Sequence, residues 1–131
     1  MSDCIFCSIV RGEIPSTRVF EDEHAYAFLD IAPFKAGHTL VVAKQHARDI
    51  LADPAVTASL APAITAVGEL LQARLGAAGL NVLSNVGEVS GQSVFHLHVH
   101  VIPRYADDPG FEQLTVRVEG IDVAEVAARL S

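Results

Sequence analysis

The chain has 131 residues, half of them hydrophobic and 19% charged, with nine Lys and Arg against sixteen Asp and Glu for a net charge of −7. Such a chain is long enough to build one domain around a core of its own, and its composition argues against a disordered chain. No Lys/Arg stripe follows a nucleic-acid backbone, and no leader peptide or apolar run of membrane-spanning length stands out, so the expected setting is the cytoplasm with neither nucleic acid nor membrane as partner.

Ser2 or Asp3 is placed to cap a short helix running to about Val10, with Gly12 ending it and Pro15 forcing an extended exit. The chain's two cysteines, Cys4 and Cys7, fall here as Cys-x-x-Cys. Without an export signal a structural disulfide is not expected, and too few residues precede Cys4 for the strand that a thioredoxin-like pair needs. Two buried thiols are one reading. Half of a zinc site, still wanting two ligands, is the favoured one.

Residues 18–21 and 24–30 read as strands joined by a turn, 31–37 as a loop with Pro33 and Gly37, and 38–43 as a strongly apolar strand. From Pro54 to Gly76 the residues Val56, Leu60, Ile64, Val67, Leu71 and Leu75 recur at helical steps. That predicts an amphipathic helix on a sheet, kinked at Pro62 or starting near it. Residues 80–85 form a further strand. Val86 and Gly91 bracket a hairpin bringing Asn85 and Ser93 toward the next strand, 95–104. A weaker strand is expected at 114–118 and a helix at 121–130, packed on the rim. The class is α+β, an antiparallel meander with one long helix, in one domain spanning 1–131.

The strand at 95–104 carries three of the six histidines, His96, His98 and His100, alternating with Leu97, Val99 and Val101. Side chains of an extended chain alternate between faces, so the histidines share one face and the aliphatics enter the core. A neutral imidazole is both a nucleophile and a metal ligand, which makes such a row a site rather than a solvated face.

The run from Gln92 to Ile102 resembles the signature of the histidine triad (HIT) superfamily of nucleotide hydrolases and transferases. Cys4-Ile5-Phe6-Cys7, Gly12-Glu13-Ile14-Pro15, Ala27-Phe28-Leu29-Asp30-Ile31, Gly37-His38-Thr39-Leu40-Val41-Val42 and Asn85 follow the family's order. The likeness is greatest to the Hint branch of purine-nucleoside phosphoramidases. It covers residues 4 to about 105, leaving 106–131 as a C-terminal extension. It implies a HIT-like fold, a five-stranded antiparallel sheet with one long and one or two short helices, assembled as a homodimer.

It also implies roles. His98 resembles the nucleophile that forms a nucleotidyl-histidine intermediate, His100 a donor to the phosphate, and His38 a fourth histidine supporting both. Ser93 resembles the leaving-group contact, with Gln92 beside it on the nucleotide side, and Asn85 a phosphate-side contact. Asp30 resembles the carboxylate on the ribose hydroxyls, though a turn cap would look the same. Phe6, Ile9, Ile14, Phe28 and Ile31 resemble the apolar clamp around a purine, though each alone reads as core. In similar bacterial proteins Cys4, Cys7, His46 and His96 correspond to the ligands of one structural Zn²⁺ per chain.

No acidic cluster beside the triad suits Mg²⁺, so no catalytic metal is expected. A rival reading places a catalytic zinc on His38 and the triad, against which no carboxylate stands out to orient those ligands. Pro103-Arg104 resembles instead the branch that cleaves dinucleoside polyphosphates, and a weakly active nucleotide sensor is a third reading.

Overall fold

A computed structural model of the chain describes residues 4–108 and 116–131. Strands β1 (Arg18–Glu21), β2 (Ala25–Leu29), β3 (Thr39–Ala43), β4 (Gly79–Leu83) and β5 (His98–Arg104) form one antiparallel sheet in the order β1-β2-β3-β5-β4. Helices α1 (Ile5–Val10), α2 (Pro54–Ala58), α3 (Ala61–Leu75) and α4 (Val123–Leu130) accompany it, with a 3₁₀ turn at Glu88–Ser90. This is the α+β architecture expected from the strand pattern.

β3, Thr-Leu-Val-Val-Ala, is buried along its whole length because it lies between β2 and β5 and is covered on both faces. On one face Ala25, Ala27, Val41, Val99 and Val101 pack against Leu60, Ala63, Val67 and Leu71. The alanines of β2 let the helix lie close to the sheet. On the other face Phe28, Leu40 and Val42 pack against Phe6 and Ile9 of α1. Directly opposed residues of an antiparallel pair share a face. Leu40 is opposed to His100 and Val42 to His98, so these two histidines lie on the α1 face.

The helix expected between Pro54 and Gly76 is two helices. Asp53 caps α2 by accepting from the Ala55 N–H at 2.9 Å, and the break at Ser59 and Leu60 puts Pro62 in the first turn of α3. There its missing N–H leaves no bond unmade. Gly76, at φ 71°, ends α3. Residues 54–75 are long and apolar enough for a membrane span by composition alone, contrary to the sequence reading. The break and the burial of Ala63, Val67 and Leu71 against the sheet make them core helices.

Other boundaries moved for physical reasons. Cys4 caps α1, its Sγ accepting from the Cys7 N–H at 3.4 Å; Ser2 and Asp3 lie outside the described residues. β5 starts at His98 rather than Phe95. β3 ends at Ala43, whose N–H still reaches the Leu97 carbonyl at 3.2 Å, but the Leu97 N–H turns to the segment after β3, donating to the Ala47 carbonyl at 2.6 Å. β4 and β5 pair as expected, but a long excursion rather than a tight turn joins them. Gly37, at φ 100°, lets the 31–38 loop close on α3 and β5, since a Cβ there would lie 2.7 Å from Leu75 Cδ1.

The C-terminal helix forms, with Asp122 as its cap, but does not pack on the rim. All its residues are exposed, because its apolar stripe of Val123, Val126 and Leu130 meets no opposing face among the described residues. Of the weak strand expected at 114–118, Leu114 and Thr115 lie outside the described residues and 116–118 are not strand.

Candidate active site and metal centre

The α1 face carries a cleft of about 280 Å³, with Phe6, Ile9, Ile14, Phe28, Asp30, Ile31, Ser93, His98 and His100 in its wall. Phe6, Ile9 and Phe28 form its buried floor, whereas Ile14 and the fully exposed Ile31 stand at the rim. Ile5, Pro15, Ser16, Leu29, Leu40 and Val94 complete the wall and were missed. The signal for Leu40 was its register opposite His100, which no periodicity reveals. A larger depression of about 410 Å³ lies between Glu23, His24, Lys44 and Asp53. It holds none of the expected residues, and its basic groups are paired, Lys44 with Glu21 at 2.7 Å and His24 with Glu23 at 3.3 Å.

Hydrogen bonds fix the protonation of the histidines. His98 Nδ1 lies 2.6 Å from the His96 carbonyl. A carbonyl only accepts, so Nδ1 carries the proton and Nε2 of neutral His98 keeps its lone pair. His38 Nδ1 accepts the Phe34 N–H at 3.1 Å, which puts the proton of neutral His38 on Nε2. That nitrogen lies 3.0 Å from His100 Nδ1 and donates to it, so His100 bears its own proton on Nε2. The cleft therefore holds one imidazole lone pair and one imidazole N–H side by side, the two rings 5.1 Å apart.

Burial pushes His38, His98 and His100 below the ordinary histidine range. His100 goes furthest, to about 4, by burial first and then by His98 and His38. All three are neutral at pH 7. The Phe6 ring meets His98 edge-on at 4.9 Å, restraining the imidazole from the α1 side.

Asp30 has two attachments. Its Oδ1 accepts the Ala32 N–H at 2.9 Å, a turn cap, and its Oδ2 lies 3.6 Å from His38 Nε2. A carboxylate therefore does stand beside the histidines, contrary to the sequence reading. Gln92 is buried and its amide is spent: Oε1 accepts from Gly87 at 2.8 Å, while Nε2 donates to the Arg48 carbonyl at 2.9 Å and the Val94 carbonyl at 3.1 Å. It pins the loop that presents Ser93 and stands behind the cleft wall rather than in it. Asn85 does not line the cleft either; it packs beneath Gly91, whose Cβ would lie 3.5 Å from its Nδ2.

Cys4, Cys7, His46 and His96 converge, with one ligand atom from each within 4.8 Å of the others. The row of three histidines is thus divided, His96 facing the cysteines and the other two the cleft. His96 Nε2 donates to the Ala43 carbonyl at 2.6 Å, leaving the Nδ1 lone pair for the cluster. That Nδ1 lies 3.1 Å from His46 Nδ1, 3.2 Å from Cys4 Sγ and 3.5 Å from Cys7 Sγ. A tetrahedron with metal–nitrogen bonds of about 2.0 Å and metal–sulfur bonds of about 2.3 Å has edges of about 3.3 and 3.5 Å. The donor set and spacing fit a tetrahedral Zn²⁺.

Asp30, His38 and His100 also gather within 4.8 Å, but their protons oppose a cation. The Phe34 N–H on His38 Nδ1 forces the proton onto Nε2, the atom that would have to ligate. The arrangement favours a hydrogen-bond relay.

A family model described as the HIT domain matches residues 11–107. The Bacillus subtilis "Protein hit" is 45% identical over 113 residues, 83% of this chain and 76% of that protein. The adenosine 5′-monophosphoramidase hnt1 of Schizosaccharomyces pombe is 39% identical over 109 residues, 82% of this chain and 78% of that one. The adenylylsulfatase HINT3 of Arabidopsis thaliana is 31% identical over 130 residues, 98% of this chain and 66% of its own. Among solved structures, SMU.412c from Streptococcus mutans superposes with a TM-score of 0.86 at 42% identity, covering 99% of this chain and 82% of that one. A Zn-bound histidine triad family protein from Mycobacterium smegmatis does so with a TM-score of 0.73 at 40% identity, covering 84% and 81%.

Proposed function

This chain belongs to the HIT domain family, and from that membership we propose that it hydrolyses or transfers at the α-phosphate of purine nucleotides of the adenosine 5′-phosphoramidate type. The observation that carries the reading is the pairing of protons in the cleft: an unshared His98 Nε2 beside a His100 Nε2–H. His98 Nε2 attacks the α-phosphorus while the bond from phosphorus to the leaving group breaks, and the departing amine takes up a proton from solvent water. The positive charge gained by His98 spreads onto Nδ1–H, where the His96 carbonyl receives it. His100 donates to a non-bridging phosphate oxygen as charge grows there. Water then displaces the imidazole from phosphorus, releasing the nucleoside monophosphate.

Phe6, Ile9 and Phe28, with Ile14 and Ile31 at the rim, take the base. Asp30 Oδ2 takes the ribose hydroxyls and Ser93 the leaving group. Two related proteins whose names describe action on adenosine 5′-phosphoryl compounds support this substrate class. In this reading Cys4, Cys7, His46 and His96 hold a structural Zn²⁺, which when bound ties α1 to the residues leading into β5. The reading also includes a homodimer in the cytoplasm.

Pro103-Arg104 is the residue pattern behind a dinucleoside polyphosphate hydrolase. Arg104, however, donates to Asn81 Oδ1 at 2.9 Å and to Asp108 Oδ2 at 3.3 Å, which favours the phosphoramidate. Turnover of adenosine phosphoramidate, diadenosine triphosphate and diadenosine tetraphosphate, measured side by side, decides. Preference for either dinucleotide overturns the substrate, and tight binding without turnover of any would make the protein a sensor.

A further inference from the structure

We propose that Asp108, acting through Lys35, is a positioning residue that fixes which nitrogen of His38 carries the proton. The inference rests on the reading of the cleft given above, and it concerns a residue one position beyond the stretch matched by the family model.

Among the described residues the 31–38 loop has no strand partner to hold it, yet it supplies the donor on which the relay depends. Phe34 N–H reaches His38 Nδ1 at 3.1 Å only because the chain doubles back, His38 N–H donating to the Lys35 carbonyl at 3.0 Å. Two neighbouring residues of that turn are gripped from the end of β5. Lys35 Nζ donates to Asp108 Oδ1 at 2.9 Å, and the Tyr105 hydroxyl donates to the Ala36 carbonyl at 2.6 Å. Asp108 is itself held at its other oxygen, which accepts the Tyr105 N–H at 2.8 Å and Arg104 Nε at 3.3 Å.

Three donors on one carboxylate make it an anchor rather than a loose surface partner. They also hold its pKa down, to about 2, with the Tyr105 N–H first among the causes and Lys35 next, so the anchor persists through the whole neutral range.

Releasing Lys35 removes one of the two grips and loosens the turn, now held from the end of β5 by the Tyr105–Ala36 bond, and Phe34 N–H can then be satisfied by water. His38 Nδ1, without that donor, can take the proton itself. His38 Nε2 would become an acceptor, and His100, obliged to donate to it through Nδ1, would present a bare Nε2 lone pair. The cleft would then oppose a phosphate oxygen with a lone pair where it had offered an N–H. That change bears on the transition state, where phosphate charge grows, more than on nucleotide binding.

The test uses the full chain and its Asp108→Asn and Lys35→Met variants, with ¹⁵N-labelled histidine read by NMR. In the native protein the His38 ring should show a bare Nδ1 and a protonated Nε2. Both variants should move those shifts toward the opposite tautomer. On adenosine phosphoramidate, kcat should fall about fivefold, the scale of one ion pair, with KM changed less than about twofold. The charge-exchanged double variant Lys35→Asp with Asp108→Lys should recover part of kcat. Unchanged His38 shifts in both single variants overturn the proposal, as does an unchanged kcat beside altered shifts. If one variant fails to fold, the other carries the test. Failure of the native protein to turn over any nucleotide defeats the functional reading instead, and the ring shifts still judge the role of Asp108.

Discussion

His98 donates its Nδ1–H to the main-chain carbonyl of His96, two residues earlier, at 2.6 Å. The His96 ring meanwhile turns its Nδ1 into the Cys4, Cys7 and His46 cluster. Whatever fixes His96 thereby fixes the orientation of His98, so the Cys/His cluster and the cleft are joined through one residue.

His98→Ala should abolish nearly all turnover, by about a thousandfold or more, while nucleotide affinity stays within about tenfold, because His98 is one of several binding contacts. Rapid quenching without acid, followed by mass spectrometry, should find a nucleotidyl adduct on His98 of the native protein. Substantial activity in the alanine variant would end the mechanism.

Elemental analysis should find about one zinc per chain, lost in the double variant Cys4→Ser, Cys7→Ser. Helix α1 carries both cysteines as well as Phe6 and Ile9, so that variant should melt at a lower temperature and bind nucleotide more weakly. Zinc lost on changing His38 but kept without the cysteines would move the metal into the cleft.

Asp30→Asn keeps a side-chain oxygen to accept the Ala32 N–H, so the turn survives while the charge is lost. Hydrogen bonds to a charged group contribute about 1.5–3 kcal/mol. The variant should therefore lose affinity for adenosine substrates and almost none for their 2′,3′-dideoxy forms. Equal losses on both would return Asp30 to the scaffold.

Stability should depend on pH through His100. Folded, it is held to about 4 by burial, by His98 and by His38, with Asp30 pulling the other way; unfolded, it titrates near 6.5. Between those values the unfolded chain takes up a proton that the folded chain does not, so stability is lost as pH falls from about 6.5 to about 4. His38 and His98 are shifted in the same direction. Urea midpoints at pH 7.5, 6 and 5 should fall in that order, and less steeply for His100→Gln. A flat series would contradict the buried, neutral relay.

Light scattering should give twice the 13.9 kDa chain mass. Among the described residues β4 ends the sheet with an unpaired edge and a half-exposed Val82, which a second copy related by a two-fold axis could cover. A monomer at micromolar concentration would refute the dimer.

The sequence alone determined the local features. Period-two alternation located β5 and sent Leu97, Val99 and Val101 into the core, where they lie. The helical steps after Pro54 located α3. The motif order identified the family and brought Cys4, Cys7, His46 and His96 into one set.

What the tertiary structure decided was every matter of partnership. Alternation placed three histidines on one face, but only the end of β3 at Ala43 explains why the strand starts at His98 and His96 serves another site. Spacing cannot say that Phe34 donates to His38 or that Asp108 holds Lys35, residues 73 positions apart. Nor can it distinguish Gln92, spent on two bonds within its own loop and one to the distant Arg48 carbonyl, from the neighbouring Ser93 in the cleft wall. The physical reason is common to all of these. Periodicity reports which side of an element a residue occupies, whereas the proton on an imidazole nitrogen is set by its hydrogen-bond partner, and the chain supplies that partner only once it has folded.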